Sequence, residues 1–570
     1  MAAERRMRAL RKGFSAGFAR GFAAGRGEGI VSLHLVLKME FDLMRTKSVF
    51  TDVLVAGWVA LAGAQTKPAG DGPLFRFTEP QGKYAVGLKV MEQYDLSRTY
   101  RPKVNAEGKP TVGERARPLQ TLVWYPAEKS GRKPMTVEDY SGLLAAETSF
   151  DKPNVSPDWK QWVDAMKPSM KEPLWAVKDA KALAGKFPLV IYAPSFSAMA
   201  WENVDLCEYL ASHGYVVVAS PDMGATSRGM TPDLTGIDAQ ARDISFLIGY
   251  AQTLPNTDMS EIAVAGFSWG GISNLFAAAR DNRIDALVAL DGSMRYYPGL
   301  VKDSGYVHPE EMTLPLLFFT QGAISLEEQA KYFTGKGSEG PNVLNAWTHG
   351  DLITVDDMAL VHVEHSSMYQ RNEDVWKGFA EQQKADYGRE DGVVGYAWIA
   401  RYTLHFLNAY LKHDADSLAW LKKTPAENGV PKHLMTVNFR AAKGEPATFD
   451  AFRAEAGKQG FDHLGDIYAA MQKDKADFKL DENAVSAWGH DLMADHHLPE
   501  AIDVFQLNVK NNADSGDVYD SLAESYAKSG QKQLAIDNYK KSLKKDPSNE
   551  NARRQLKGLG DASGNPIKPN

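Results

Sequence analysis

Gly266-Phe267-Ser268-Trp269-Gly270 sets a serine between two glycines, after the apolar run Ile262-Ala263-Val264-Ala265 and before the helical-looking Ile272 to Ala279. A hydroxyl held in a sharp strand-to-helix turn stands above a sheet, and the glycines leave room for backbone that a Cβ would meet. A serine hydroxyl is nearly unreactive at neutral pH, so Ser268 needs a histidine base and an acid that fixes the imidazole tautomer. The acid should follow one of the later strands. Thr320-Gln321-Gly322-Ala323 offers no carboxylate, whereas Ala289-Leu290-Asp291-Gly292 does, so Asp291 is assigned as the acid. The base should lie after the last strand, in Val361-His362-Val363-Glu364-His365-Ser366. His362 alternates into that expected strand, while His365 stands where polar residues begin, so His365 is preferred over His362. His349 is a more distant loop candidate. An oxyanion on the attacked carbonyl calls for two backbone N–H donors, assigned to Trp269 and to Phe196 in the loop Pro194-Ser195-Phe196-Ser197-Ala198.

The elements that must position these groups are legible as alternating runs. Strands are expected at 84–90, 119–126, 189–193, 215–219, 262–265, 284–290 and 314–319, with a last one at 358–363. Helices are expected near 202–213, 237–253, 270–279 and 394–411. Continuous β-branched and aromatic runs separated by amphipathic helices predict an α/β domain, a mainly parallel sheet with helices on both faces. The insertion 326–357, rich in Gly, Asn and Asp, is expected to form a lid or pocket rim.

Leu189 to Asp222, which includes Leu210-Ala211-Ser212-His213-Gly214-Tyr215, then Gly266 to Gly271 and Ala289-Leu290-Asp291, resembles a branch of the α/β hydrolases. That branch holds the platelet-activating factor acetylhydrolases and dienelactone hydrolases, and the resemblance spans roughly 80–415. It implies the α/β-hydrolase fold, a triad in the chain order Ser268, Asp291, His365, and an acid after the sixth strand of the fold. Two departures stand out. Pro194-Ser195 occupies the place of the family's His-Gly oxyanion motif, and Ser268 stands where the dienelactone branch has cysteine.

The rest of the chain bounds the setting. Its 570 residues exceed one ordinary core. Net charge is −7, and residues 1–64 are basic enough to leave the remainder at −12, which argues against nucleic acid as a partner. Met44-Arg45-Thr46-Lys47, the apolar run Val49–Leu61 and Ala62-Gly63-Ala64 read as a secretory signal over 44–64 within a leader of 1–64, which predicts export to a periplasm or beyond. No later segment reads as a membrane span. Cys207 is the only cysteine and reads as a packed helical thiol. His490 and Asp495-His496-His497 read as a solvated turn rather than a metal site, and no metal or cofactor is expected.

Toward the C-terminus, Ala501-Ile502 and Phe505 recur 34 residues later as Ala535-Ile536 and Tyr539. That is the tetratricopeptide period, and it predicts an all-α repeat module over 482–560, joined by a helical linker, 441–481, to a catalytic domain of 65–440. The resulting expectation is an exported serine hydrolase acting on a small-molecule ester, with a protein partner engaged by the repeats. The alternatives are an acyl-peptidase or amidase, or an inactive hydrolase fold serving as a scaffold.

Overall fold

The computed structural model describes residues 75–105, 107–150, 157–322, 342–380 and 386–560. The expected signal segment and the first half of the 326–357 insertion, 326–341, lie outside these residues. The chain divides into two compact units between Lys443 and Gly444.

The first unit is built on a ten-stranded sheet. Its strands are β1 (Ala85–Thr99), β2 (Ala116–Ala127), β3 (Ala176–Lys178), β4 (Phe187–Ala193), β5 (Val216–Ala219), β6 (Thr257–Phe267), β7 (Ala286–Leu290), β8 (Leu316–Gln321), β9 (Leu352–Asp357) and β10 (Met435–Arg440). The order across the sheet is β10-β9-β8-β7-β6-β4-β5-β2-β1-β3. The six strands β4 to β9 run parallel, and β2 and β10 pair antiparallel with the two ends of that block. This is the α/β-hydrolase sheet. The chain steps from β4 outward to β5 and returns to the other side of β4 as β6, and ligands of open α/β sheets bind at such a switch point.

Alternation within the strands explains why both faces are covered. Val190 and Tyr192 of β4 and Ala263, Ala265 and Phe267 of β6 enter one core, with α1 (Val204–Ser212) packed on that side. Leu189, Ile191, Ile262 and Val264 enter the other core, which takes Ile237 and Ile244 of α2 (Leu234–Ala251) and Ile272 and Leu275 of α3 (Trp269–Ala278). The long α4 (Arg389–Leu411) adds Tyr396, Ile399, Tyr402 and Phe406 to the first core. Each such fully buried aliphatic or aromatic side chain contributes about 1.5–3 kcal/mol relative to exposure.

One expected element is displaced. The segment 358–363 is not a strand. The last parallel strand is β9, at 352–357, inside the stretch read as a lid, and His362–His365 form a 3-10 turn. The apolar side chains Ala359, Leu360, Val361 and Val363 are buried in the core as loop residues, so their composition imitates a strand without its pairing.

The second unit is all helical. It contains α5 (Phe449–Gln459), α6 (Leu464–Asp474), α7 (Glu482–Ala494), α8 (Leu498–Asn511), α9 (Gly516–Lys528), α10 (Lys532–Lys545) and α11 (Glu550–Gly558). Ala501, Ile502 and Phe505 on α8, and Ala535, Ile536 and Tyr539 on α10, occupy matching positions of successive hairpins and share one core. Gly489 on α7 has the Phe505 ring where a Cβ would stand, 2.5 Å away, so the absent side chain sets how closely α7 and α8 approach.

Candidate active site

Ser268 follows β6 directly and caps α3 with φ 51° and ψ −113°. Non-glycine residues rarely adopt such a backbone, and it persists only where surrounding structure imposes it. Here the Ser268 N–H donates to the Leu290 carbonyl at 3.0 Å, and the Ser293 N–H donates to the Ser268 carbonyl at 2.7 Å. The two glycines of the motif and the adjoining Gly271 are fixed by contact. A Cβ on Gly266 would lie 2.6 Å from the Gly270 carbonyl carbon, on Gly270 2.0 Å from the Ala193 oxygen, and on Gly271 2.5 Å from the Gly292 Cα.

Asp291 directly follows β7, with φ 42°, and is fully buried. Its Oδ1 accepts from the Tyr296 hydroxyl at 2.7 Å, and its Oδ2 accepts from His362 Nδ1 at 2.6 Å. Burial alone would push this carboxyl up. The hydrogen bond and charge of His362, with the Tyr296 hydroxyl, outweigh burial and hold it down at about 2. With Nδ1–H committed to the carboxylate, His362 presents Nε2 as acceptor to Ser268 Oγ, 2.9 Å away. Asp291, His362 and Ser268 therefore form one continuous chain of hydrogen bonds.

The expected base His365 is not in that chain, and this is a correction. Its Nδ1–H donates to the His362 carbonyl at 3.1 Å, its ring stacks on Phe267, and its buried Nε2 makes no hydrogen bond to Ser268 or Asp291 among the described residues. Burial pushes it down to about 4, so the ring is neutral at physiological pH. The cause is the strand displacement. Because β9 ends at Asp357, His362 already lies in the loop beyond the sheet and reaches back over Ser268. His349 makes no contact with Ser268 or Asp291 among the described hydrogen bonds. The signal that could have found His362 is the β-branched run Ile353-Thr354-Val355 after Leu352, a better strand than Met358–Val363.

Phe196 and Trp269, the expected oxyanion donors, stand side by side with ring centroids 5.4 Å apart. Trp269 is the first residue of α3, where helix geometry leaves the N–H without an internal acceptor. The Phe196 N–H likewise has no acceptor among the described residues, while its neighbours are engaged. The Ser195 N–H donates to Glu202 Oε2 at 2.9 Å, Ser195 Oγ donates to Glu202 Oε1, and the Ser197 N–H donates to Asp222 Oδ2 at 2.8 Å. Arg228 Nη1 donates to the Ser197 carbonyl at 3.0 Å. Glu202 and Asp222 are both fully buried, and burial pushes Glu202 up to about 7 and Asp222 well above the usual carboxylate range. Neither acid was singled out in the sequence. Among the described residues no group of three or more His, Cys, Asp or Glu is placed to hold a metal, and no helix is long and apolar enough to cross a membrane.

Comparison with known proteins adds a partial match. The Chlorophyllase family model matches residues 146–293, a segment that holds Glu202, Ser268 and Asp291 and stops short of His362. No curated protein matches the chain. Among solved structures, a ferulic acid esterase from Streptomyces cinnamoneus is similar at 18% identity and a TM-score of 0.44, covering 64% of this chain and 98% of that one. The sheet order, the glycine-flanked turn and the family match together make the first unit an α/β hydrolase by fold.

Proposed function

We propose that the protein is a serine hydrolase that cleaves an ester through an acyl-enzyme on Ser268. The observation that carries this reading is the unbroken link Asp291 Oδ2, His362 Nδ1, His362 Nε2, Ser268 Oγ, at 2.6 and 2.9 Å. Ser268 Oγ attacks the carbonyl carbon as its proton passes to His362 Nε2, and Asp291 stabilises the imidazolium that results. The tetrahedral oxyanion lies against the Phe196 and Trp269 N–H groups. Its collapse breaks the bond to the alcohol, which leaves with the proton from His362. A water then repeats the sequence on the acyl-enzyme, releasing the acid and restoring Ser268. These side chains suffice for the chemistry without a metal or cofactor.

An ester rather than an amide is favoured by the resemblance to the acetylhydrolase group. The 34-residue period of the second unit supports tetratricopeptide-like repeats that engage a protein partner, and the pattern at 44–64 supports export. The deciding experiment is labelling by a fluorophosphonate probe, mapped by peptide mass, alongside hydrolysis of p-nitrophenyl esters of graded chain length. Label on Ser268 and turnover of an ester are expected. A folded protein that takes no label and turns over no ester has the fold without the activity.

A further inference from the structure

The residues behind Phe196 are built in a way the triad does not require. Glu202 lies just before α1, fully buried, and its carboxylate reaches the Ser195 main chain and side chain together. The Tyr192 hydroxyl at the end of β4 donates to the same carboxylate at 3.1 Å. A buried carboxylate is costly to leave unpaired, so these donors fix its place as firmly as it fixes theirs.

The main chain beside Glu202 points the other way. Its carbonyl accepts from Ser366 Oγ at 2.9 Å and from the Met368 N–H at 3.2 Å. Asn203 Nδ2 donates to the His365 carbonyl at 2.9 Å, and Asn203 Oδ1 accepts from the Ser367 N–H at 2.8 Å. One dipeptide thus braces the loop that carries the Phe196 N–H and the turn that carries His362. The two parts come from segments about 165 residues apart and share no strand pairing, so their relative placement depends on such a brace.

We propose that Glu202 is a positioning residue that aims the Phe196 N–H at the oxyanion by holding Ser195 against the His362 turn, an inference that rests on the serine-hydrolase reading above. With Ser195 pinned by Glu202 and Ser197 by Asp222, the intervening Phe196 peptide has its N–H direction set before substrate arrives. Glu202→Ala removes the brace on one side. A displacement of about 1 Å in a catalytic group costs on the order of 10²-fold, and the loss should fall on kcat because the oxyanion forms only in the transition state.

The test compares the wild-type protein with Glu202→Ala and Glu202→Gln on a short-chain p-nitrophenyl ester, with a boronic acid as tetrahedral analogue and circular dichroism as the check of folding. Glu202→Ala should lose about 10²-fold in kcat and a similar factor in boronate affinity, with KM within about threefold of the wild type. Glu202→Gln should recover to within about tenfold, because its carbonyl accepts from Ser195 N–H and its amide donates to a Ser195 Oγ that reverses its role. If Glu202→Ala does not fold, Glu202→Asp carries the same criterion, since it keeps the carboxyl and withdraws it by one methylene. A folded variant with kcat and boronate affinity near wild type, or a loss confined to KM, overturns the role of Glu202 while labelling of Ser268 keeps the parent reading intact. Absence of fluorophosphonate label in the wild type overturns both.

Discussion

His365 donates its Nδ1–H to the backbone carbonyl of His362, 3.1 Å away, so its ring braces the backbone of the residue whose own ring meets Ser268. The outer ring supports the turn, and the inner ring meets Ser268. His362→Ala should therefore lower kcat by about 10³-fold or more, with little change in thermal unfolding. His365→Ala should keep kcat within about tenfold and lose on the order of 2–4 kcal/mol of stability from the cavity it leaves. Ester kinetics and thermal unfolding on both variants decide the matter, and the reverse pattern would return the base to His365.

Burial holds His365 down at about 4 against an unfolded value of 6.5, which links stability to pH. Between those values the unfolded chain binds the proton and the folded one does not, so the contribution is complete above pH 6.5 and is lost as pH falls toward 4. Within that window its slope approaches about 1.4 kcal/mol per pH unit. Urea unfolding at pH 7 and pH 5 should show a smaller drop for His365→Gln than for the wild type. Equal drops would place the acid sensitivity elsewhere.

Tyr296 supplies the second hydrogen bond to Asp291, at 2.7 Å. Burial favours the neutral acid, and this bond is one of those that oppose it. Tyr296→Phe should raise the Asp291 value and lower kcat by about three- to tenfold, since a weaker carboxylate orients and stabilises His362 less well. The depressed acid contributes stability that is present above about pH 4 and lost as pH falls toward 2, so the variant should be less stable at neutral pH and lose less between pH 4 and pH 2 than the wild type. An unchanged kcat would show that His362 alone sustains the Asp291 charge.

Two glycine substitutions with opposite signs test the strained turn. Gly270→Ala would place a Cβ 2.0 Å from the Ala193 carbonyl oxygen, and both backbones would have to shift. A loss of about 3 kcal/mol or more, together with lost activity, is expected from overpacking of that kind. Gly249 in α2 has open space where its Cβ would stand, so Gly249→Ala should gain up to about 1 kcal/mol from helix propensity. Chemical denaturation of both variants provides the comparison.

Every residue of the proposed reaction precedes Lys443, where the compact units divide. A chain truncated to 65–443 should fold, as judged by circular dichroism, and keep its kcat on small soluble esters to within about threefold. A folded truncation that reacts with a fluorophosphonate much more slowly than the full chain would give the helical unit a part in catalysis.

The sequence by itself determined the parallel block of strands, because a strand buried on both faces must be apolar at every position, as 189–193 and 262–265 are. It determined the Ser268 turn too, since glycines at 266 and 270 are a local requirement of backbone packing. The position of Asp291 directly after a strand was legible, as were helices in the second unit. Only tertiary structure decided between His362 and His365. An apolar run such as Met358–Val363 reads as a strand on composition, yet whether it pairs depends on which segment lies beside β8, and 352–357 holds that place. Glu202 was invisible for a related reason. A carboxylate ahead of a helix looks like a solvated charge until the fold buries it between Tyr192 and Ser195, where its hydrogen bonds, and not its residue type, give it meaning.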